Sequence, residues 1–250
     1  MAPYIYITLP TFMVFVFIGG VSSLLYVFFR IEKFGLIFSD FLLSSVFFAI
    51  GAYFGAAVLF AIIQLSRMVD DFSSSRLIEL ISVGGIVFYG GLFGVLITVR
   101  VFAKLRRYDK TALYQMIAPA IPLFHGFGRI GCFMAGCCYG VELSAPIKIF
   151  GLSLNRLPTQ LIEAAFCFTL FCSLVFIEKS RDEWDSLRFY LLTYAIFRFA
   201  IEFFRGDDIR GGWILSTSQW ISLGIVAYYL IKTIKAKQHN VELKHGLIQM

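Results

Sequence analysis

The chain has 250 residues, of which 59% are hydrophobic and only 15% charged, and its mean hydropathy is +0.80. Soluble domains carry about 25% charged residues, so this composition excludes a soluble globular protein and calls for one integral membrane domain. The net charge of +6 sits mostly in short loops, which points to membrane topology and anionic lipid rather than nucleic acid, and five cysteines are too few for a disulfide scaffold.

Seven apolar runs, at residues 8–29, 37–65, 78–103, 111–128, 159–177, 187–204 and 214–232, each approach the roughly 20 residues that cross a hydrocarbon core. They predict an all-α fold, a polytopic bundle of about seven transmembrane helices. The first run is too long for the apolar core of a cleavable signal peptide and is followed by more of the same. The loops after the odd-numbered spans hold fourteen of the Lys and Arg residues, and those after the even-numbered spans hold seven. By the positive-inside rule the amino terminus lies outside and the carboxyl terminus in the cytoplasm. Residues 1–235 form the membrane domain, and 236–250 are expected to be a flexible cytoplasmic tail.

In chain order, Gly51 and Gly55, then Gly90 and Gly94, form two G-x-x-x-G pairs, the spacing of close helix contacts. The Gly90-Gly91 pair directly follows Tyr89, which suggests room for a ligand beside the phenol. The densest signal is His125-Gly126-Phe127-Gly128-Arg129-Ile130-Gly131-Cys132-Phe133-Met134-Ala135-Gly136-Cys137-Cys138-Tyr139-Gly140, with five glycines, three cysteines, an arginine and a histidine. Glycine permits close backbone approach, and an arginine at the rim of the bilayer is costly unless it meets an anion. Together they suggest a site for a phosphate-bearing ligand. Cys132, Cys137 and Cys138 lack a C-x-x-C pair and a following histidine at ligand spacing. They read first as small packing residues in a tight glycine turn, with a disulfide, a metal or an acceptor role as alternatives. Cys167 and Cys172 read as small core residues.

Arg198, Glu202 and Arg205 stand at i, i+4 and i+7 and share one helix face, while Phe197, Phe199, Phe203 and Phe204 cover the others. A polar stripe on an aromatic helix must look into the bundle or a wet cavity. The stripe carries one net positive charge, Arg129 adds a second, and arginine suits bidentate phosphate contact. An internal Arg198–Glu202 ion pair is the structural alternative.

Several of these segments, in order, resemble the prolipoprotein diacylglyceryl transferases of bacterial membranes. Ile117 to Pro122, continuing to Gly128-Arg129-Ile130-Gly131, is similar to the family's signature stretch. Phe88-Tyr89-Gly90-Gly91-Leu92 resembles its Phe-His-Gly-Gly-Leu element, and Arg156 to Glu163 its Pro-Ser-Gln-x-x-Glu element. Tyr194 to Arg205 is similar to its Arg-and-Glu helix; Gly212-Trp213 and Ser216 to Gln219 fit its last segment more loosely. The resemblance implies a seven-span enzyme of the bacterial plasma (inner) membrane. It would move a diacylglyceryl group from phosphatidylglycerol to the lipobox cysteine of a prolipoprotein signal peptide, with no cofactor and no metal. Tyr89 stands where the family has histidine, Tyr53 where it has arginine, and Cys132, Ala135 and Cys137 where it has Asn, Asn and Glu; the loop from Gly140 to Pro158 is shorter. A divergent enzyme with the same lipid donor and another acceptor, or a non-catalytic lipid-binding membrane protein, are the alternatives.

On this reading Arg129 and Arg198 stabilise the leaving phosphate and Glu202 supports them. Either Tyr89 or His125 takes the thiol proton, and the imidazole suits that role better because it titrates near neutrality. Gly128, Gly131, Gln160, Glu163 and Arg205, with Arg129 and Arg198, are the expected substrate-binding residues.

Overall fold

A backbone in hydrocarbon can satisfy its N–H and C=O groups only within its own segment, so long apolar runs fold as helices. The computed structural model describes residues 4–6, 9–67, 87–149, 152–181, 184–206 and 214–248. The helices are α1 (Thr11–Phe28), α2 (Phe38–Arg67), α3 (Phe88–Arg106), α4 (Lys110–Ile117), α5 (Ala120–Ala135), α6 (Thr159–Ser180), α7 (Ser186–Ile201) and α8 (Thr217–Ile248), with a 3₁₀ turn at Glu202–Phe204. Among the described residues, five stretches are long and apolar enough to cross a membrane: Thr11–Phe28, Phe38–Gln64, Phe88–Arg106, Lys110–Ala135 and Thr159–Ser180. Helices α7 and α8 overlap the sixth and seventh predicted spans and are not among those five. Phe17 and Phe176, each 71% exposed, and Ile97, 62% exposed, give these helices the apolar outer surface of lipid-facing segments.

The extent and continuity of the fourth span are corrected, and two short hairpins join the helices. The fold is mostly helical, as expected, and carries two short hairpins: β1 (Tyr4–Tyr6) pairs with β2 (Leu9–Pro10), and β3 (Glu142–Ile149) pairs antiparallel with β4 (Leu152–Arg156). The residues between α5 and α6 leave the apolar pattern and are too few for another helix pair, so their backbone groups pair across a hairpin. The fourth span is longer than 111–128. It is two helices in sequence, because Pro119 and Pro122 lack the N–H that would continue the ladder. It then runs through the glycine-rich segment to Ala135, where Gly136 closes it in the left-handed region at φ 75°. The expected flexible tail, 236–250, falls in the last part of α8, which runs as far as Ile248, since Lys, Gln, Glu and Leu favour the helix. The start of the third predicted span, Arg76, Arg210, Gly212 and Trp213 lie outside the described residues.

α1 packs along α5, and α2 along α3. The second contact is a glycine seam. A Cβ on Gly55 would overlap the Gly90 carbonyl, and one on Gly94 the Gly51 carbonyl. A Cβ on Gly91 would lie 3.2 Å from Ala52 O. The space beside Tyr89 that the glycines suggested for a ligand is therefore filled by α2. Gly94→Ala is expected to cost at least about 1–3 kcal/mol by overpacking, whereas Gly128→Ala, with nothing within 4 Å of the added carbon, is expected to leave stability unchanged or raised. Thermal midpoints of the two variants in detergent check the contrast.

Polar contacts fasten the end of the bundle where α1, α3 and α6 finish. Arg30 Nη2 lies 2.7 Å from Glu178 Oε2 and donates to Gln115 O at 3.3 Å. Arg106 Nη2 lies 2.6 Å from Asp40 Oδ1, and the Tyr108 hydroxyl donates to Asp40 Oδ2 at 2.8 Å. Gln115 donates to Trp184 O and accepts from Ser186 N–H. The other end, where α5 and α7 finish and α6 and α8 begin, holds the remaining buried charges.

Candidate functional site: a buried arginine–glutamate cluster

Four helix ends build the site. α5 presents His125 and Arg129 one turn apart. α6 starts at Thr159, directly after Pro158, so Gln160 and Glu163 fall in its first two turns. α7 presents Tyr194 and Arg198 one turn apart, and Glu202 and Arg205 follow in the 3₁₀ turn and just beyond. α8 contributes Ser218 and Ser222 from its first turns.

Glu163, 2% exposed, is the hub. Its Oε2 lies 3.0 Å from Arg129 Nε and 3.6 Å from Arg198 Nη1. Its Oε1 accepts the Tyr194 hydroxyl at 2.8 Å and lies 3.6 Å from His125 Nε2. Arg198 Nη2 lies 2.7 Å from Glu202 Oε2 and donates to Ser218 Oγ at 3.3 Å. Arg205 Nε stands 4.0 Å from Glu202 Oε2. His125, Arg129, Glu163, Arg198 and Glu202 are all buried. Three guanidinium groups face two carboxylates, so the cluster carries one net positive charge with the imidazole counted as neutral. Burying such charges is costly unless each is paired, and the pairing here is nearly complete. Arg198 Nη1, 3.6 Å from Glu163 Oε2, lies beyond hydrogen-bond distance of it and has no hydrogen-bond acceptor among the described residues.

Arg129 and Arg205, the cations in excess on the sequence reading, both meet carboxylates. Both Arg129 and Arg198 turn toward Glu163, and the Arg198–Glu202 pair forms as well. Arg129 Nε also donates to His125 Nε2 at 3.1 Å. That contact places the imidazole proton on Nδ1, which faces Cys167 Sγ at 3.6 Å. The ring stacks on Phe88 at 3.6 Å between centroids.

Among the described residues, Tyr89 meets the cluster through Ser222 and Tyr194 rather than through its arginines or carboxylates. Its hydroxyl pairs with Ser222 Oγ at 2.7 Å, and its ring meets Tyr194 edge-on. Gly131 does not face a ligand either: a Cβ there would lie 3.1 Å from Phe15 Cβ and 3.2 Å from Phe12 O, so this glycine admits α1. Gly128 faces open space. Tyr53, 65% exposed, lies on the outer surface. Gln160 Nε2 donates to Cys137 O at 2.5 Å, and Gln160 also lines a cavity of about 340 Å³ with Tyr139, Arg156 and Leu157. Tyr194, Ser218 and Phe88 were missed as site residues. Tyr194 had a signal, since it precedes Arg198 by four residues and extends the same stripe.

A helical membrane protein whose buried polar side chains converge on one cationic cluster is the class that fold and site define. The family described as prolipoprotein diacylglyceryl transferase matches residues 3–234. A phosphatidylglycerol–prolipoprotein diacylglyceryl transferase of Clostridium tetani is 32% identical over 182 residues, covering 70% of this chain and 72% of that protein. The second such transferase of Clostridium perfringens is 30% identical, covering 80% and 81%. That of Mannheimia succiniciproducens is 38% identical over 56% and 54%. The chain belongs to the prolipoprotein diacylglyceryl transferase family.

Proposed function

We propose that the chain transfers a diacylglyceryl group from phosphatidylglycerol to the lipobox cysteine of a prolipoprotein in the bacterial inner membrane. The names of its relatives and the family match support the reaction. The distribution of Lys and Arg supports seven spans with the amino terminus outside, which puts the arginine cluster at the outer leaflet.

The observation that carries the proposal is the pair of guanidinium groups meeting at one point, with the buried Arg198 Nη1 short of an acceptor. A lipid phosphodiester supplies both the anion and the acceptor. Arg129 and Arg198 hold it, Glu202 fixes the Arg198 fork, and Arg205 adds positive charge at the rim. The thiolate sulfur attacks the glyceryl carbon, a carbon–sulfur bond forms, and the carbon–oxygen bond to phosphate breaks. Its electron pair stays on the phosphate oxygen, and glycerol phosphate leaves. Fixed cations stabilise that growing charge without reorganising.

The thiol proton goes to His125. When the phosphate draws Arg129 away, Nε2 loses its donor and its lone pair becomes available, with Glu163 beside it to stabilise the imidazolium. Tyr89, paired with Ser222, stays outside the proton path.

The test incubates purified protein with phosphatidylglycerol and a lipobox peptide and follows the thioether adduct by mass. Wild type is expected to form it. His125→Ala is expected to lower the rate by about 100-fold or more, and Tyr89→Phe to keep most of it. Full activity in His125→Ala, or its loss in Tyr89→Phe, overturns the base assignment. Phosphatidylglycerol binding with no adduct overturns the reaction.

A further inference from the structure

The sulfur atoms of Cys132, Cys137 and Cys138 lie within 4.8 Å of one another. Their spacing in sequence did not announce this. Cys132 is on the last turn of α5, and the chain then curls through two left-handed residues, Gly136 at φ 75° and Cys138 at φ 60°. A non-glycine residue held at positive φ carries backbone strain, and surrounding contacts hold this one. The Cys137 N–H donates to Cys132 O at 3.1 Å, the Cys137 carbonyl accepts from Gln160 Nε2, and the Cys138 carbonyl accepts from Thr159 Oγ1 at 3.0 Å. The first turn of α6 therefore pins the peptide units that present the thiols.

We propose that these three cysteines form a three-thiolate site for a thiophilic divalent cation, Zn²⁺ by preference. Tetrahedral zinc with bonds of about 2.3 Å places its sulfur ligands roughly 3.8 Å apart, and three sulfurs already within 4.8 Å reach that spacing by side-chain rotation. Cys132 is buried, Cys138 half-buried and Cys137 exposed, so the site has a closed base and an open mouth through which the ion enters. Water takes the fourth position. Binding exchanges three thiol protons for the cation and leaves a complex of charge −1. The bound ion joins the end of α5 to the turn that α6 holds, so it acts as a staple beside the arginine cluster and takes no part in the group transfer.

The experiment uses the full chain, purified in detergent under reducing conditions and titrated with Cd²⁺ as a spectroscopic probe, then back-titrated with Zn²⁺. Wild type is expected to develop an ultraviolet thiolate-to-cadmium band that saturates at one ion per chain and is erased by Zn²⁺. Cys137→Ser is expected to weaken binding by about 100-fold or more, beyond what a change outside the ligand shell costs. Cys172→Ser, at an exposed thiol outside the cluster, is expected to titrate as wild type. No saturable band in wild type overturns the proposal, as does an equal band in Cys137→Ser. An intact mass two hydrogens light, with the cysteines bridged to each other, also overturns it. The wild-type titration stands even if a variant misfolds, and none of these readouts depends on transferase activity.

Discussion

Arg129→Ala is expected to abolish diacylglyceryl transfer, with a fall in rate of about 1,000-fold or more, while the protein inserts and elutes as wild type. One fixed donor on a developing oxyanion is worth roughly 10²–10³ in rate. Arg129 also supplies the shorter of the two guanidinium contacts to Glu163 and the donor to His125, so its loss disturbs both halves of the chemistry. The fold survives because Glu163 keeps Arg198 and the Tyr194 hydroxyl. Initial rates of adduct formation, set beside the size-exclusion profile, give the two readouts. A variant that elutes normally and retains a tenth of the wild-type rate would remove Arg129 from the phosphate site. A variant that aggregates would make its duty structural.

Glu163→Gln is expected to be the more damaging change for the fold. The amide keeps the shape and can accept the Tyr194 hydroxyl, but three guanidinium groups then face Glu202 alone. Removing one partner of a buried ion cluster costs about 3–5 kcal/mol, so the thermal midpoint in neutral detergent should fall clearly. The lipid discriminates this from simple misfolding. Phosphatidylglycerol in the micelle is expected to restore part of the lost stability, because its phosphate can stand where the carboxylate stood, and binding to the folded state alone stabilises by mass action. Phosphatidylcholine, whose headgroup brings its own cation, is expected to restore less. Equal rescue by both lipids, or no change of midpoint, would contradict the role of Glu163 as the anion that holds the arginines together.

How much of this could be read beforehand depends on how local each interaction is. The Arg198–Glu202 pair lies one turn apart on one helix, and spacing alone predicts it. Hydropathy located most of the helices, because the cost of an unpaired backbone in lipid is written residue by residue. The centre of the site was not local. Glu163 meets Arg129 and Arg198 only after three helix ends come together, so periodicity gave it no role and only family resemblance marked it. Glycine misled in two directions. Gly126 and Gly131 suggested close approach of a ligand, yet in α5 Gly126 faces Phe168 and Gly131 faces α1. Gly136, the residue that does turn the chain, is what gathers the three thiols. The same resemblance put Tyr89 in the chemistry, and the structure pairs its hydroxyl with Ser222 of α8.

The interruption between α4 and α5 has an effect at the far end of the molecule. Pro119 offers no N–H to the carbonyl of Gln115, which in an unbroken helix would be its acceptor. Arg30 takes that oxygen and at the same time grips Glu178. One guanidinium thus ties α1, α4 and α6 into a knot on the side away from the arginine cluster. Any parting of α5 from α6 wide enough to let an acyl chain slip between them has to fan out from that knot, like the leaves of a book held at the spine.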